Sequence, residues 1–399
     1  MWDGDAWCHS QMERPLLNRR LASLGTTIFA EMSELAVATK SVNLGQGFPD
    51  ADGPAEIAEA AANAIRSGRG NQYPPGAGIP ELRRAIADHQ RRFYGLEIDP
   101  GSEVLVTAGA TEAIAAALLA LVEPGDEVIA FEPYYDSYAA CIAMAGGIRV
   151  PITLRAPAFR PDIDELRAAI TDRTRVILLN SPHNPTGSVF TGAELAAIAD
   201  LACSRDLVVI SDEVYEHMVF TGEHVPICTF PGMRDRTATI SSAAKTFSYT
   251  GWKIGWVTGS PEMVTAVRTV KQFLTFVSGG PFQYAIAQAL TLPDDYYRSI
   301  AADLVVKRDL MCDGLAAVGF DVFRPDGTYF ITTDIRPFGD VTGLDFCRRL
   351  PGAVGVVAIP MQVFYDDPEA GQFQVRFAFC KRKEVLTEAL ARLAGLQPG

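Results

Sequence analysis

The chain reads as an α/β protein with a second, smaller α+β unit, and three features of its sequence lead there. Between about residues 104 and 260, short apolar runs alternate with amphipathic stretches of helical length. The runs are near-continuous in Val, Ile and Leu, which marks a largely parallel sheet buried on both faces. After about residue 300 the pattern changes to helix, strand pair, helix and further strands, an α+β arrangement. The expected division is 1–45 for an N-terminal arm with part of the small domain, 46–295 for the large domain and 296–399 for the small one.

Taken in order, VLVTAG is a strand and TEAIAAALLALV the helix after it; Glu112 and the Pro-Gly-Asp turn that follows argue for a buried helix rather than a membrane span. EVIAFEP, RVILLNSP, LVVISDEVY, TATISSAAK and IGWVTG are further strands, with helices at DSYAACIAMAGG and TGAELAAIADLACSRD. The C-terminal unit holds a helix at AADLVVKRDLMCDGLAAVG, a strand pair around FDVFRPDGTYFITTDI, a helix near GLDFCRRL, the segments GVVAIPMQVF and QFQVRFAFCK, and a terminal helix.

Composition narrows the function. With 399 residues, 48% hydrophobic and 21% charged, the chain has ordinary globular make-up. A formal charge of −13 repels nucleic acid and anionic membranes at long range. The seven cysteines are scattered without a CxxC pair, which suits reduced thiols in a cytoplasm. The first twenty residues carry acids where a signal peptide needs basic residues, and read as a loose arm. GQGFPD and GAGIPE lack the third glycine of a dinucleotide fingerprint and read as turns; the five histidines are dispersed, which leaves metallohydrolase chemistry without support.

In open α/β sheets, ligands bind beyond the carboxyl ends of the strands. Five polar motifs fall just past the apolar runs: GATEA, EPYYD, NSPHNPTG, DEVY and SSAAK. They contain what an electron-sink cofactor bound through a lysine requires: the lysine (Lys245), an acid for a ring nitrogen (Asp212), donors to a ring oxygen (Tyr215, Asn184) and aromatic faces. Singly, each residue has an ordinary structural role, as strand-end cap, turn former or core aromatic. Their order on successive strand ends favours one site.

The segments NSPHNPTG, SDEVYEHMVF and SSAAKTFSYTGWKIGW, with GQGFPD, NQYPPG and VRFAFCK, resemble a class I, fold-type I pyridoxal-5′-phosphate aminotransferase over about Leu21 to Leu393. Within that class GQGFPD, EPYYDSY and AIPMQVFY are similar to the branch of kynurenine/glutamine, methionine and N-succinyldiaminopimelate aminotransferases. The resemblance implies a mainly parallel seven-stranded sheet sandwiched by helices, with pyridoxal 5′-phosphate as cofactor.

It also implies roles. Lys245 carries the cofactor and moves the Cα proton; Asp212 pairs with the ring nitrogen, Tyr215 and Asn184 with the ring oxygen, and Tyr135 stacks on the ring. Ala110 and Thr111 amides, Ser242 and Lys253 hold the phosphate, with Lys253 standing where aspartate aminotransferases have arginine. Arg376 grips the substrate carboxylate beside Gly47 and Asn184, and Phe29 closes the pocket. Tyr73 reaches the phosphate of a neighbouring subunit, so a homodimer with its active site at the subunit interface is expected. The reaction implied moves an amino group between an L-amino acid and a 2-oxo acid, with 2-oxoglutarate expected as acceptor.

The kynurenine enzymes carry a Phe-His pair about where Ser278 and Gly279 fall. A wider pocket points to N-succinyl-LL-2,6-diaminopimelate, with methionine, glutamine, kynurenine or a specialised amino acid as alternatives. A C–S β-lyase would share every catalytic residue. An aminotransferase-like transcription regulator would need a DNA-binding module, which an acidic, helix-poor N-terminal stretch of 40-odd residues does not supply.

Overall fold

The computed structural model describes residues 16–22, Gly25 and 27–396. The stretch read as a loose arm lies outside the described residues up to Pro15, as does Cys8.

The large sheet has seven strands in the order Val104–Thr107, Gly255–Thr258, Thr237–Ser242, Val208–Asp212, Thr174–Asn180, Glu127–Glu132, Ile148–Thr153. Gly255–Thr258 runs antiparallel to both neighbours, and the other paired strands are parallel. The sequence reading did not anticipate the antiparallel strand, nor Ile148–Thr153. That last strand lies at the sheet edge, contains Pro151 and is mostly half-buried, so it lacks the apolar run of a central strand. Thr174–Asn180 shows why the central runs are continuous: Val176 and Leu178 pack into one layer of core, Ile177 and Leu179 into the layer on the other face.

The helix Gly109–Leu121 joins the first of these layers, and Gly192–Ser204 the second. The latter begins at a capping box in which Thr191 and Glu194 satisfy each other's backbone donors.

Beyond residue 300 a four-stranded antiparallel sheet runs in the order Ile359–Pro360, Gln374–Ala378, Phe330–Asp334, Asp321–Phe323. The 25-residue helix packed beside it, Asp294–Val318, starts earlier than read, just before the expected boundary at 295/296. The N-terminal stretch is less helix-poor than expected: Ile28–Thr39 is a helix capped by the Thr27 hydroxyl, and Met32 and Ala36 bury into the core of the C-terminal sheet. Val42–Asn43 pairs in parallel with Val356–Val357. No described helix is long and apolar enough to cross a membrane. The six described cysteines are free thiols.

Candidate active site

Thr107, Asn180, Asp212 and Ser242 end parallel strands at one edge of the large sheet, and a cavity of about 360 Å³ opens there. All five motif loops reach it. Lys245, Asp212, Tyr215, Ala110, Thr111, Tyr135, Asn184, Ser242, Lys253, Gly47, Arg376 and Phe29 line this one space. Tyr73 does not: it stands 81% exposed on the outer surface.

Asp212 closes its strand in register with Asn180 on one side and Ile240 on the other. The Tyr138 hydroxyl donates to its Oδ2 at 2.5 Å, and Asn180 Nδ2 donates to its carbonyl at 2.8 Å. Burial raises the Asp212 pKa to about 6, opposed by the Tyr138 hydrogen bond and by the charge on Lys245. Asn180 Oδ1 in turn accepts from Asn184 N at 2.8 Å, which fixes the start of the Asn-Pro-Thr-Gly turn.

Strand Thr237–Ser242 runs directly into the single helical turn Ala243–Thr246, and this turn aims Lys245 into the cavity. Its Nζ has one long hydrogen bond, to Gly47 O at 3.3 Å, and lies 5.8 Å from the ring centres of Tyr215 and Tyr329. Burial lowers the Lys245 pKa to about 8. An amine so placed is part-neutral near physiological pH, as a nucleophile or base must be.

The start of helix Gly109–Leu121 is brought close by two glycines. A Cβ on Gly255 would lie 2.6 Å from Gly109 C, so the neighbouring strand can pass only without a side chain. Gly109 has φ 76, and its missing Cβ would stand 3.2 Å from Lys253 Nζ. The first turn of that helix, Lys253 and Ser242 thus face one corner of the cavity, and free N–H groups, helix dipole and ammonium all favour an anion.

Arg376 is 1% exposed. It donates to Asn184 Oδ1 and Gly45 O, both at 3.0 Å, and sits 4.0 Å from the centre of the Phe330 ring, with Phe29 and Phe364 at 5.3 Å. Its Nε has no partner. Burial lowers its pKa to about 10. A buried guanidinium without a carboxylate is costly, and a ligand carboxylate would relieve it.

Sequence reading missed several contributors. Tyr138 lies in the first turn of helix Asp136–Ala145, where nothing in the local pattern separates it from a core aromatic. Tyr329 donates to Gly47 O at 2.7 Å and meets Tyr215 edge-on at 5.3 Å. Asn180 opens the quoted NSPHNPTG, and its place at a strand end could have flagged it. Three of the histidines, dispersed in sequence, gather in space: His89 Nε2 and His217 Nε2 are 2.8 Å apart beside Glu216, and His224 lies 2.9 Å from Glu213.

A buried acid at the base, a lysine with depressed pKa, an aromatic wall and an anion corner fit pyridoxal 5′-phosphate, and they define the class of protein. The chain belongs to the aminotransferase class I and II family, whose model matches residues 39–393. It is a fold-type I, pyridoxal-phosphate-dependent aminotransferase, an enzyme that moves an amino group between an amino acid and a 2-oxo acid.

Among curated relatives it is 52% identical to the probable N-succinyldiaminopimelate aminotransferase of Mycobacterium tuberculosis, over 94% of this chain and 98% of that protein. It is 40% identical to the methionine aminotransferase of Escherichia coli, over 94% and 97%. The solved structure of the N-succinyldiaminopimelate aminotransferase from M. tuberculosis superposes with a TM-score of 0.93 at 52% identity, covering 96% of this chain and 100% of that one.

Proposed function

We propose that this enzyme transaminates N-succinyl-LL-2,6-diaminopimelate with 2-oxoglutarate as the amino acceptor, as a cytoplasmic homodimer. The observation that carries the substrate assignment is the 52% identity, nearly end to end, with a protein named for that substrate. The absence of a Phe-His pair at Ser278 and Gly279 is consistent with a pocket wide enough for it. Six free thiols among the described residues support the reducing compartment. The exposed aromatics Tyr73, Phe273 and Phe276 support the dimer. The division at about residues 45 and 295 is read the same way, with the helix Asp294–Val318 starting the small domain.

When bound, pyridoxal 5′-phosphate supplies an electron sink for the electron pair left behind as the substrate Cα proton departs. Lys245 is the residue that would hold it covalently, and Lys253, Ser242 and the amides of Ala110 and Thr111 would hold its phosphate. Asp212, kept in place by Tyr138, would pair with its ring nitrogen; Tyr215 and Asn184 would donate to its ring oxygen, with Tyr135 against its face. Arg376, held by Asn184 and Gly45, grips the substrate α-carboxylate and so fixes which Cα bond faces Lys245 Nζ. With a pKa near 8, that amine accepts the Cα proton and returns it. Phe29, packed 5.9 Å from Phe364, covers the arginine and keeps water from it.

The test is a steady-state comparison of N-succinyl-LL-2,6-diaminopimelate with methionine, glutamine and kynurenine. The succinylated substrate is expected to have the highest kcat/KM. Efficient turnover of methionine with none of the succinylated compound would sink the assignment and favour the methionine activity for which the 40% identical relative is named.

A further inference from the structure

Lys271, in the last turn of helix Pro261–Leu274, is only 1% exposed and has no ion-pair partner among the described residues. Its Nζ donates to Phe276 O at 2.7 Å and approaches Gly76 O at 3.4 Å, two carbonyls from loops far apart in sequence. Burying an ammonium that no carboxylate contacts is expensive, and only the nearby charge of Glu112 offsets it.

The loop bound by the shorter contact is strained. Phe276 has φ 63, a left-handed value rare for a bulky residue, and Val277 N donates back to Thr275 O at 2.7 Å across it. The same loop is tied to the anion corner of the active site. Thr275 Oγ1 donates to Glu112 Oε1 at 2.5 Å, and Glu112 Oε2 accepts from Ala108 N at 2.6 Å, at the start of the helix that faces the cavity.

What these loops display is a pair of rings that this subunit does not bury. Tyr73 is 81% exposed and Phe276 53%, with ring centres 5.3 Å apart and edge to face, and Phe273, three residues earlier in the chain, is 83% exposed.

We propose that Lys271 is a positioning residue that acts across the subunit boundary: by clamping Phe276 and Gly76 it holds the Tyr73–Phe276 ring pair in the shape that completes the active site of a second copy of this chain. The inference rests on the dimer reading above, in which Tyr73 reaches the neighbouring phosphate. An ammonium carries three donors on a flexible stem and can serve two carbonyls at once; an apolar residue of the same length would leave both without it and let the turn relax.

Hybrid dimers made with two affinity tags test this. In each, one subunit carries Lys245→Ala, so a single competent site remains. In the first hybrid Lys271→Met lies in the subunit that keeps Lys245; in the second it lies in the Lys245→Ala subunit. The first is expected to lose no more than about threefold, because within its own subunit the loop reaches the anion corner only indirectly, through Thr275 and Glu112. The second is expected to lose on the order of 10²-fold in kcat/KM, the scale of a misplaced positioning group, and to bind pyridoxal 5′-phosphate more weakly by absorbance titration. Equal values in the two hybrids, or a loss confined to the first, overturn the proposal.

Tyr73→Phe placed in the Lys245→Ala subunit separates the two readings. If it weakens cofactor binding at the competent site while Lys271→Met does not, only the role of Lys271 fails; if it has no effect across the boundary, the dimer reading fails with it. Should Lys271→Met not fold, Lys271→Gln in the same two arrangements carries the same expected asymmetry.

Discussion

The two sides of the strand end at Ser211-Asp212-Glu213 treat charge in opposite ways. On the cavity side, Lys245, Lys253 and Arg376 have no carboxylate within ion-pairing distance among the described residues, Arg376 Nε has no partner, and the Asp212 proton affinity is raised by burial. On the other side every carboxylate is paired. Glu213 takes Ser211 Oγ at 2.8 Å and His224 Nε2 at 2.9 Å, while Glu216 takes the Tyr94 hydroxyl at 2.5 Å and the Ser241 hydroxyl. Side chains alternate across a strand, so Ser241 serves the paired side while Ser242 faces the cavity. A few ångströms of backbone separate groups that wait for a ligand from groups that already have theirs.

From this contrast, substitutions on the cavity side should cost activity, and those behind it stability. Lys245→Ala should give the largest effect: at least on the order of 10⁴-fold in kcat, measured under saturating cofactor, with thermal stability no lower than in the parent, because a partly desolvated amine is removed. Arg376→Lys should raise KM for the amino acid about 10- to 100-fold, since an ammonium loses the planar fork that meets a carboxylate. An unchanged KM would remove Arg376 from carboxylate binding. Tyr94→Phe, on the paired side, should leave kcat/KM within about twofold and cost about 1–2 kcal/mol in urea unfolding, because Glu216 loses a donor while buried. A large loss of kcat with intact stability would erase the distinction.

The cavity side was far more legible in sequence than the paired side, for a physical reason. Lys245, Asp212 and Asn184 sit in short motifs whose residue order follows successive strand ends, so the chemistry is written locally. The partners behind the sheet come from distant segments: His89 and Tyr94 from the helix Pro80–Tyr94, His217 and Glu216 from after the strand Val208–Asp212. Only the fold brings them within bonding distance. The same limit hid Tyr138 and Tyr329, whose roles depend on which hydroxyl ends up beside which oxygen. Edge strand Ile148–Thr153 escaped because half-burial and Pro151 blur its period, whereas the central strands were clear from their apolar runs.

The histidines sharpen the comparison through pH. Burial lowers the pKa of His89 and His217 to about 3 each, while His224, beside Glu213, is raised. For the first two, the unfolded chain takes up protons near the ordinary value of about 6.5 and the folded protein does not. Their contribution to stability is therefore present above that value and is lost as pH falls from about 6.5 toward 3, with a limiting slope of about 1.4 kcal/mol per pH unit for each group. His224 acts in the reverse sense: its contribution is complete below about 6.5 and fades as pH rises through its raised folded value. Buried His183, lowered to about 4, acts in the same sense as the pair, while Asp212, raised to about 6, takes up its proton in the folded protein and opposes them. Three histidines outweigh one carboxylate, so urea midpoints should fall between pH 6.5 and 5. His89→Gln should flatten that fall by between about a third and a half, because one of the three histidines that only the unfolded chain protonates is removed. An acid limb unchanged by the substitution would show that the His89–His217 contact does not govern it, and would move the cause to His183 and the carboxylates.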